Sequence, residues 1–217
     1  MRFFNKNIIL VLPILIGLSA LILGGTFSYF HDQAKTTGNT FTAGVWGPSG
    51  NVVINEVYYY VADDKKGTPP ESKYEWVELY NPTSVAVNLK DWGICDNHSC
   101  RKINPNIEIN PDEFVLLSHD SSIWAPGTGY WSIPSGTKTV NLGGAIGNGL
   151  ANNGDRVILK DSQGNTIDAM NYGDDTGVWS PGCPGVAKGH SLTRSPNGHD
   201  TDSPADFIDN ANPNPGT

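Results

Sequence analysis

Glu75-Trp76-Val77-Glu78-Leu79-Tyr80-Asn81-Pro82 decides the fold class, read together with Val52-Val53-Ile54-Asn55-Glu56-Val57 a short way upstream. Both runs mix β-forming apolar residues with polar ones at the two-residue period of a strand. Asn81-Pro82 ends the second run, because proline has no N–H to give to a ladder. Ile54, Trp76 and Leu79 are core candidates. Glu56 and Glu78 stand where a purely structural strand would favour an apolar or neutral side chain. Alternation puts Trp76 and Glu78 on one face, and a carboxylate buried there needs a partner. Arg194, on a strand expected over 190–194, is the candidate to bridge one or both carboxylates with its guanidinium fork. Glu56, Glu78 and Arg194 are therefore read as a structural ion-pair group. A catalytic carboxylate pair is the rival reading, and no neighbouring histidine or metal-ligand spacing supports it.

Strand signals recur at 52–62, 74–80, 85–89, 92–95, 107–109, 113–117, 156–160 and 166–172. Turn chemistry separates them, as in Pro111-Asp112 and Asp161-Ser162-Gln163-Gly164-Asn165. No sustained helical period follows residue 31, and Gly 25 with Pro 15 suits many short strands. The expected class is all-β, a sandwich rather than a barrel. Between 119 and 153 a Gly-, Ser-, Thr- and Asn-rich insertion carries Trp124, Tyr130 and Trp131. Those rings are candidate ligand contacts, since loops on a rigid scaffold carry function and exposed rings stack on sugars or apolar partners. The alternative is that they fold back and cover one end of the sandwich.

Residues 1–30 stand apart. Arg2 and Lys6 precede an uncharged apolar run over 8–30, and small residues lie before Tyr29. This pattern describes a secretory signal cut after Ser28, followed by a linker over 29–50 and one domain over 51–217. The alternative is a retained anchor, since the run would extend about 34 Å as a helix. The membrane is therefore met only through residues 8–30, and in both cases the rest is exported. Removing the leader takes two of the 14 basic residues and none of the 22 acidic ones, so net −8 becomes 12 basic against 22 acidic, or −10. Such a charge argues against a nucleic-acid partner, which needs a basic footprint.

Export permits disulfides. Cys95 and Cys100 flank the polar turn Asp96-Asn97-His98-Ser99 and can meet across a hairpin. A loop this short stabilises by only about 2 kcal/mol, so the bridge pins a hairpin rather than creating the fold. Cys183 is left over, either as a free thiol or as a point of intermolecular linkage. Asn97-His98-Ser99 is also a glycosylation sequon.

Several ordered motifs carry a resemblance. They are Ile54-Asn55-Glu56-Val57, the run from Glu75 to Pro82, and Val87-Asn88-Leu89-Lys90-Asp91-Trp92. Next come the run from Leu150 to Asp161 and Gly164-Asn165-Thr166-Ile167-Asp168, with a close at Ser191-Leu192-Thr193-Arg194 and Pro213-Asn214-Pro215-Gly216. Over roughly 50–217 the chain resembles the lamin-tail family. The aromatic insertion and the Cys95–Cys100 hairpin depart from its pattern. The resemblance implies an immunoglobulin-like β-sandwich, which in prokaryotes serves as an exported attachment or interaction module without assigned catalytic residues. Gly25-Thr26-Phe27-Ser28-Tyr29-Phe30-His31-Asp32 and the residues up to Gly44 resemble the leader of the biofilm-fibre and camelysin group. That likeness supports the export route alone.

His31, His98, His119, His190 and His199 are scattered without metal-ligand spacing, and no G-x-S-x-G or H-E-x-x-H motif occurs. Asp200-Thr201-Asp202-Ser203-Pro204-Ala205-Asp206 offers oxygens but lacks the calcium-loop glycine and terminal glutamate. No cofactor and no metal are expected. The expected function is a non-enzymatic module at the cell surface or in the extracellular matrix, with a protein or glycan partner. The alternatives are a secreted hydrolase or metallopeptidase, and a fibre subunit that assembles through its edge strands.

Overall fold

The computed structural model describes residues 51–127 and 130–217, so the expected leader and linker lie outside the described residues. The described residues form twelve short strands. These are β1 (Val53–Tyr58), β2 (Trp76–Tyr80), β3 (Val87–Asn88), β4 (Gly93–Cys95), β5 (Cys100–Lys102) and β6 (Glu108–Ile109). They continue with β7 (Phe114–Ser118), β8 (Lys138–Asn141), β9 (Gly154–Lys160), β10 (Thr166–Gly173), β11 (Ser191–Arg194) and β12 (Phe207–Asn210). One sheet runs β12-β11-β1-β2-β7-β8, a second runs β10-β9-β4-β5, and β3 pairs with β6. Neighbours are antiparallel except β7 and β8. Parallel pairing needs a long crossover, which the insertion supplies.

The all-β class is as expected, and the layering is that of a sandwich consistent with the immunoglobulin-like type. Val57, Val77, Leu79, Val115 and Leu117 from the larger sheet share one apolar cluster with Ile94, Val157, Leu159, Met170 and Tyr172 from the smaller. Register explains which residues face it. In β1 the pairing shifts between Ile54 and Glu56, leaving Asn55 as an extra residue. Such a bulge turns the following side chains to the other face. Ile54 and Val57 therefore both point into the core, while Glu56 turns outward beside its register partner Glu78.

All six residues of β1 are buried. A half-exposed antiparallel strand would alternate, so something covers the outer face of the larger sheet. At one end the cover is the insertion. A second apolar cluster gathers Tyr58, Trp76 and Leu116 from the sheet with Ile123 and Trp124, and Trp131 packs against it. At the other end residues 211–217 return over the sheet, with Pro215 buried. Gly216 lies so close to Thr137 that a Cβ there would come within 2.9 Å of its Oγ1.

Candidate functional site

The insertion builds a cleft over that outer face. It opens with a turn over Ser121–Trp124, whose N-terminal Asp120 side chain accepts from Ser122 N. The Trp124 indole N–H donates to Ser118 Oγ at 3.0 Å, anchoring the turn to β7. Trp124 meets Trp76 edge-on at 5.9 Å. Trp131 stands perpendicular to both Tyr58 (5.0 Å) and Trp76 (5.4 Å). Tyr130 tilts against Tyr74 at 5.2 Å. The result is a cleft of about 720 Å³ with Trp124, Tyr130 and Trp131 in its wall and the hydroxyls of Ser132, Ser135 and Thr137 beside them. The rings fold back, but onto a sheet face rather than an end of the sandwich, and there they line a cleft. Lys65 also lines it, with Nζ 5.0 Å from the Trp131 ring centre. Sequence reading passed over this lysine, because nothing near residue 65 points to residue 131.

The expected ion pair between Arg194 and Glu56 or Glu78 is not among the contacts of the described residues. The physical reason is the face. Arg194 sits in β11 two residues after Leu192, which points into the core, whereas Glu56 and Glu78 point outward. Arg194 Nη2 instead donates to both oxygens of Asp168, at 3.1 Å each. It also reaches Asp200 and Asp206 at 3.2 Å each. Its Nε donates to Ile54 O at 2.8 Å, and its guanidinium lies 4.5 Å from the Phe207 ring centre. Burial raises the Asp168 carboxyl to about 6 even with Arg194 opposing it. Two acids of the Asp200–Asp206 loop are thus engaged: Asp200 takes Arg194, and Asp206 takes Arg194 and the Thr201 N–H at 2.7 Å. Asp168, set among Ile167, Ala169 and Met170, carried the same signal as Glu56, a carboxylate inside an apolar strand.

Glu56 and Glu78 lie side by side across β1 and β2, and no cation pairs with them among the described residues. Glu78 accepts from Asn55 Nδ2 at 2.8 Å and from Gly216 N at 2.5 Å. Glu56 accepts from the Ser191 hydroxyl and from Asn214 N, and its buried Oε2 has no partner among the described residues. Burial raises both acids, Glu78 to about 8. A third such acid, Glu75, is raised by burial to about 8 and accepts from Leu150 N at 3.0 Å. Asp96 likewise accepts Asn148 N at 2.6 Å, and Asp155 accepts Ala151 N at 3.1 Å. These carboxylates hold the loop before β9, a role the sequence did not announce.

Cys95 and Cys100 form the expected disulfide. Asn97 is exposed near the tip of that hairpin. Cys183 is a free thiol, buried, and pushed up to about 12 by that burial. An intermolecular bridge would require it at the surface. Among the described residues no group of three or more His, Cys, Asp or Glu could hold a metal ion. None of their helices is long and apolar enough to cross a membrane.

No curated protein matches the chain. Among solved structures, the crystal structure of a DUF4876 family protein from Bacteroides thetaiotaomicron is similar, with a TM-score of 0.48 at 12% identity. That match covers 76% of this chain and 72% of the other. The model of the Lamin Tail Domain matches residues 47–174, which hold the bulged strand β1, the Trp76 strand, the disulfide hairpin and Asp168. With more than half of its length matched by that model, the chain belongs to the lamin tail domain family.

Proposed function

We propose that the protein is an exported, non-enzymatic interaction module that attaches at the cell surface or in the extracellular matrix through its aromatic cleft. One observation carries this reading: the insertion places Trp124, Tyr130 and Trp131 around a cleft of about 720 Å³, within the usual range of ligand sites. A fixed sheet backs that cleft, so little ordering remains to be done on binding. The N-terminal sequence supports export, with a basic head, an apolar run and small residues before Tyr29.

The test has two parts. Intact mass of the protein from the producing cells' membrane and medium should give a species beginning near Tyr29 in the medium, or one retaining Met1 in the membrane. The released species also reports any glycan at Asn97. Purified protein should then be retained on envelope or matrix fragments, and Trp131→Ala should lose that retention. Recovery from the cytoplasm alone, or equal retention of the variant, overturns the proposal.

A further inference from the structure

We propose that the cleft takes a carboxylate-bearing sugar of an anionic polysaccharide, its ring set against the aromatic wall and its carboxylate on Lys65. This rests on the reading of the cleft as the contact site and names its ligand class. The charge of the wall is the starting point. The chain is acidic, at net −8, yet among the described residues Lys65 is the one charged side chain lining the cleft, and no carboxylate lines it.

Among the acids near it in sequence, Asp64 is exposed and does not line the cleft, and two others are held by other cations. Asp63 takes Lys66 at 3.1 Å and Lys188 at 2.6 Å, and Glu71 takes Lys66 at 3.1 Å. Among the described residues Lys65 has no carboxylate partner, and its ammonium rests 5.0 Å from the centre of the Trp131 ring. An ammonium over an aromatic face keeps its charge while shedding part of its water. That leaves it ready for an anion, and a charge-assisted bond is about twice as strong as a neutral one.

The remaining wall sorts the candidates. A cationic ligand would meet Lys65 with no compensating acid. A purely apolar ligand would strip water from the Lys65 ammonium and from three hydroxyls without replacing it. A proline-rich peptide suits aromatic walls but brings no anion for Lys65. A sugar acid presents an apolar ring face, hydroxyls for Ser132, Ser135 and Thr137, and a carboxylate for Lys65.

The experiment titrates the full chain with oligogalacturonate and, at equal length, with neutral maltooligosaccharide, following tryptophan fluorescence and heat. Uronate binding that weakens with salt, and that falls about tenfold in Lys65→Gln at an unchanged melting temperature, is the expected result. Lys65→Glu should abolish it. Lys65 is half-buried in a three-residue turn, so neither variant threatens the fold. Equal binding of both sugars, an unaffected Lys65→Gln, or preference for a proline-rich peptide overturns the proposal. If no sugar binds while Trp131-dependent retention on envelope fragments persists, the sugar class falls and the attachment reading stands. If that retention is also absent, both fall.

Discussion

Arg194 is fully enclosed by three carboxylates, the Ile54 carbonyl and the Phe207 ring. Removing one partner of a buried charge group leaves the others uncompensated, which costs about 3–5 kcal/mol. Arg194→Ala should therefore lose about that much stability in denaturant titration. Arg194→Lys should recover only part of it, because a point charge cannot hold Asp168 while reaching Asp206. Unchanged stability in the alanine variant would sink the assignment. Glu78 works in the opposite sense. Its folded-state pKa of about 8 lies above the ordinary 4.5, through burial first and the neighbouring Glu56 charge last. The folded state therefore binds the proton more tightly than the unfolded state. The stability this contributes is complete below pH 4.5 and is lost as pH rises to about 8. Across that window Glu78→Gln should flatten the fall in stability by up to about 1.4 kcal/mol per pH unit. Superimposable pH profiles for the two proteins would refute it.

Among the elements, the insertion is where composition misleads most. Its glycines and serines read as a loose loop, but Trp124 is 6% exposed and bonded to Ser118. Trp124→Ala should cost about 3–5 kcal/mol, the range for emptying a packed tryptophan site, with a matching drop in melting temperature. A loss below about 1 kcal/mol would show that the insertion does not pack on the sheet. The Cys95–Cys100 hairpin is a smaller device. Replacing both cysteines by serine should cost about 2 kcal/mol by loop-closure entropy, measurable as a shifted denaturant midpoint. Strands such as β2 and β9 were legible because apolar alternation, turn chemistry and a proline stop agree along a continuous run. Three strands lie outside the expected runs: β5, implied only as an arm of the cysteine hairpin, β8 and β12. In β8 only Val140 is buried, so its period is silent, and β12 holds a single buried apolar residue, Phe207. The site was half legible for a related reason. Aromatic rings announce themselves by type, whereas the facing of Glu56 depends on the Asn55 bulge, and the partners of Arg194 depend on which face β11 presents.

At the scale of the described residues, the central strands β11, β1, β2 and β7 of the larger sheet are largely buried on both faces, one against the other sheet and one beneath the insertion and residues 211–217. Antiparallel sheets commonly leave one face to water, so the cover is an addition to the sandwich rather than a requirement of it. None of residues 211–217 belongs to the main apolar cluster. Their backbone instead meets the acids, through Asn214 N to Glu56 and Gly216 N to Glu78. The segment thus does two opposing things to Glu78: it donates a hydrogen bond, which lowers the pKa, and it excludes water, which raises it. Burial outweighs the hydrogen bonds on this carboxyl, and the net shift is upward. Deleting residues 211–217 should then leave the sandwich folded, with its far-ultraviolet spectrum intact, while Glu78 titrates closer to its ordinary 4.5. The loss of stability between pH 4.5 and about 8 should shrink, as in Glu78→Gln, and combining the deletion with that substitution should add little more. The neutral Asn55, Asn197, Ser191, Thr193 and Asn210 surround the pair, and among the described residues the charge acting on Glu78 is Glu56. A truncated protein that keeps the full pH dependence would mean that the strands alone desolvate these acids, and that the returning segment only rests on them.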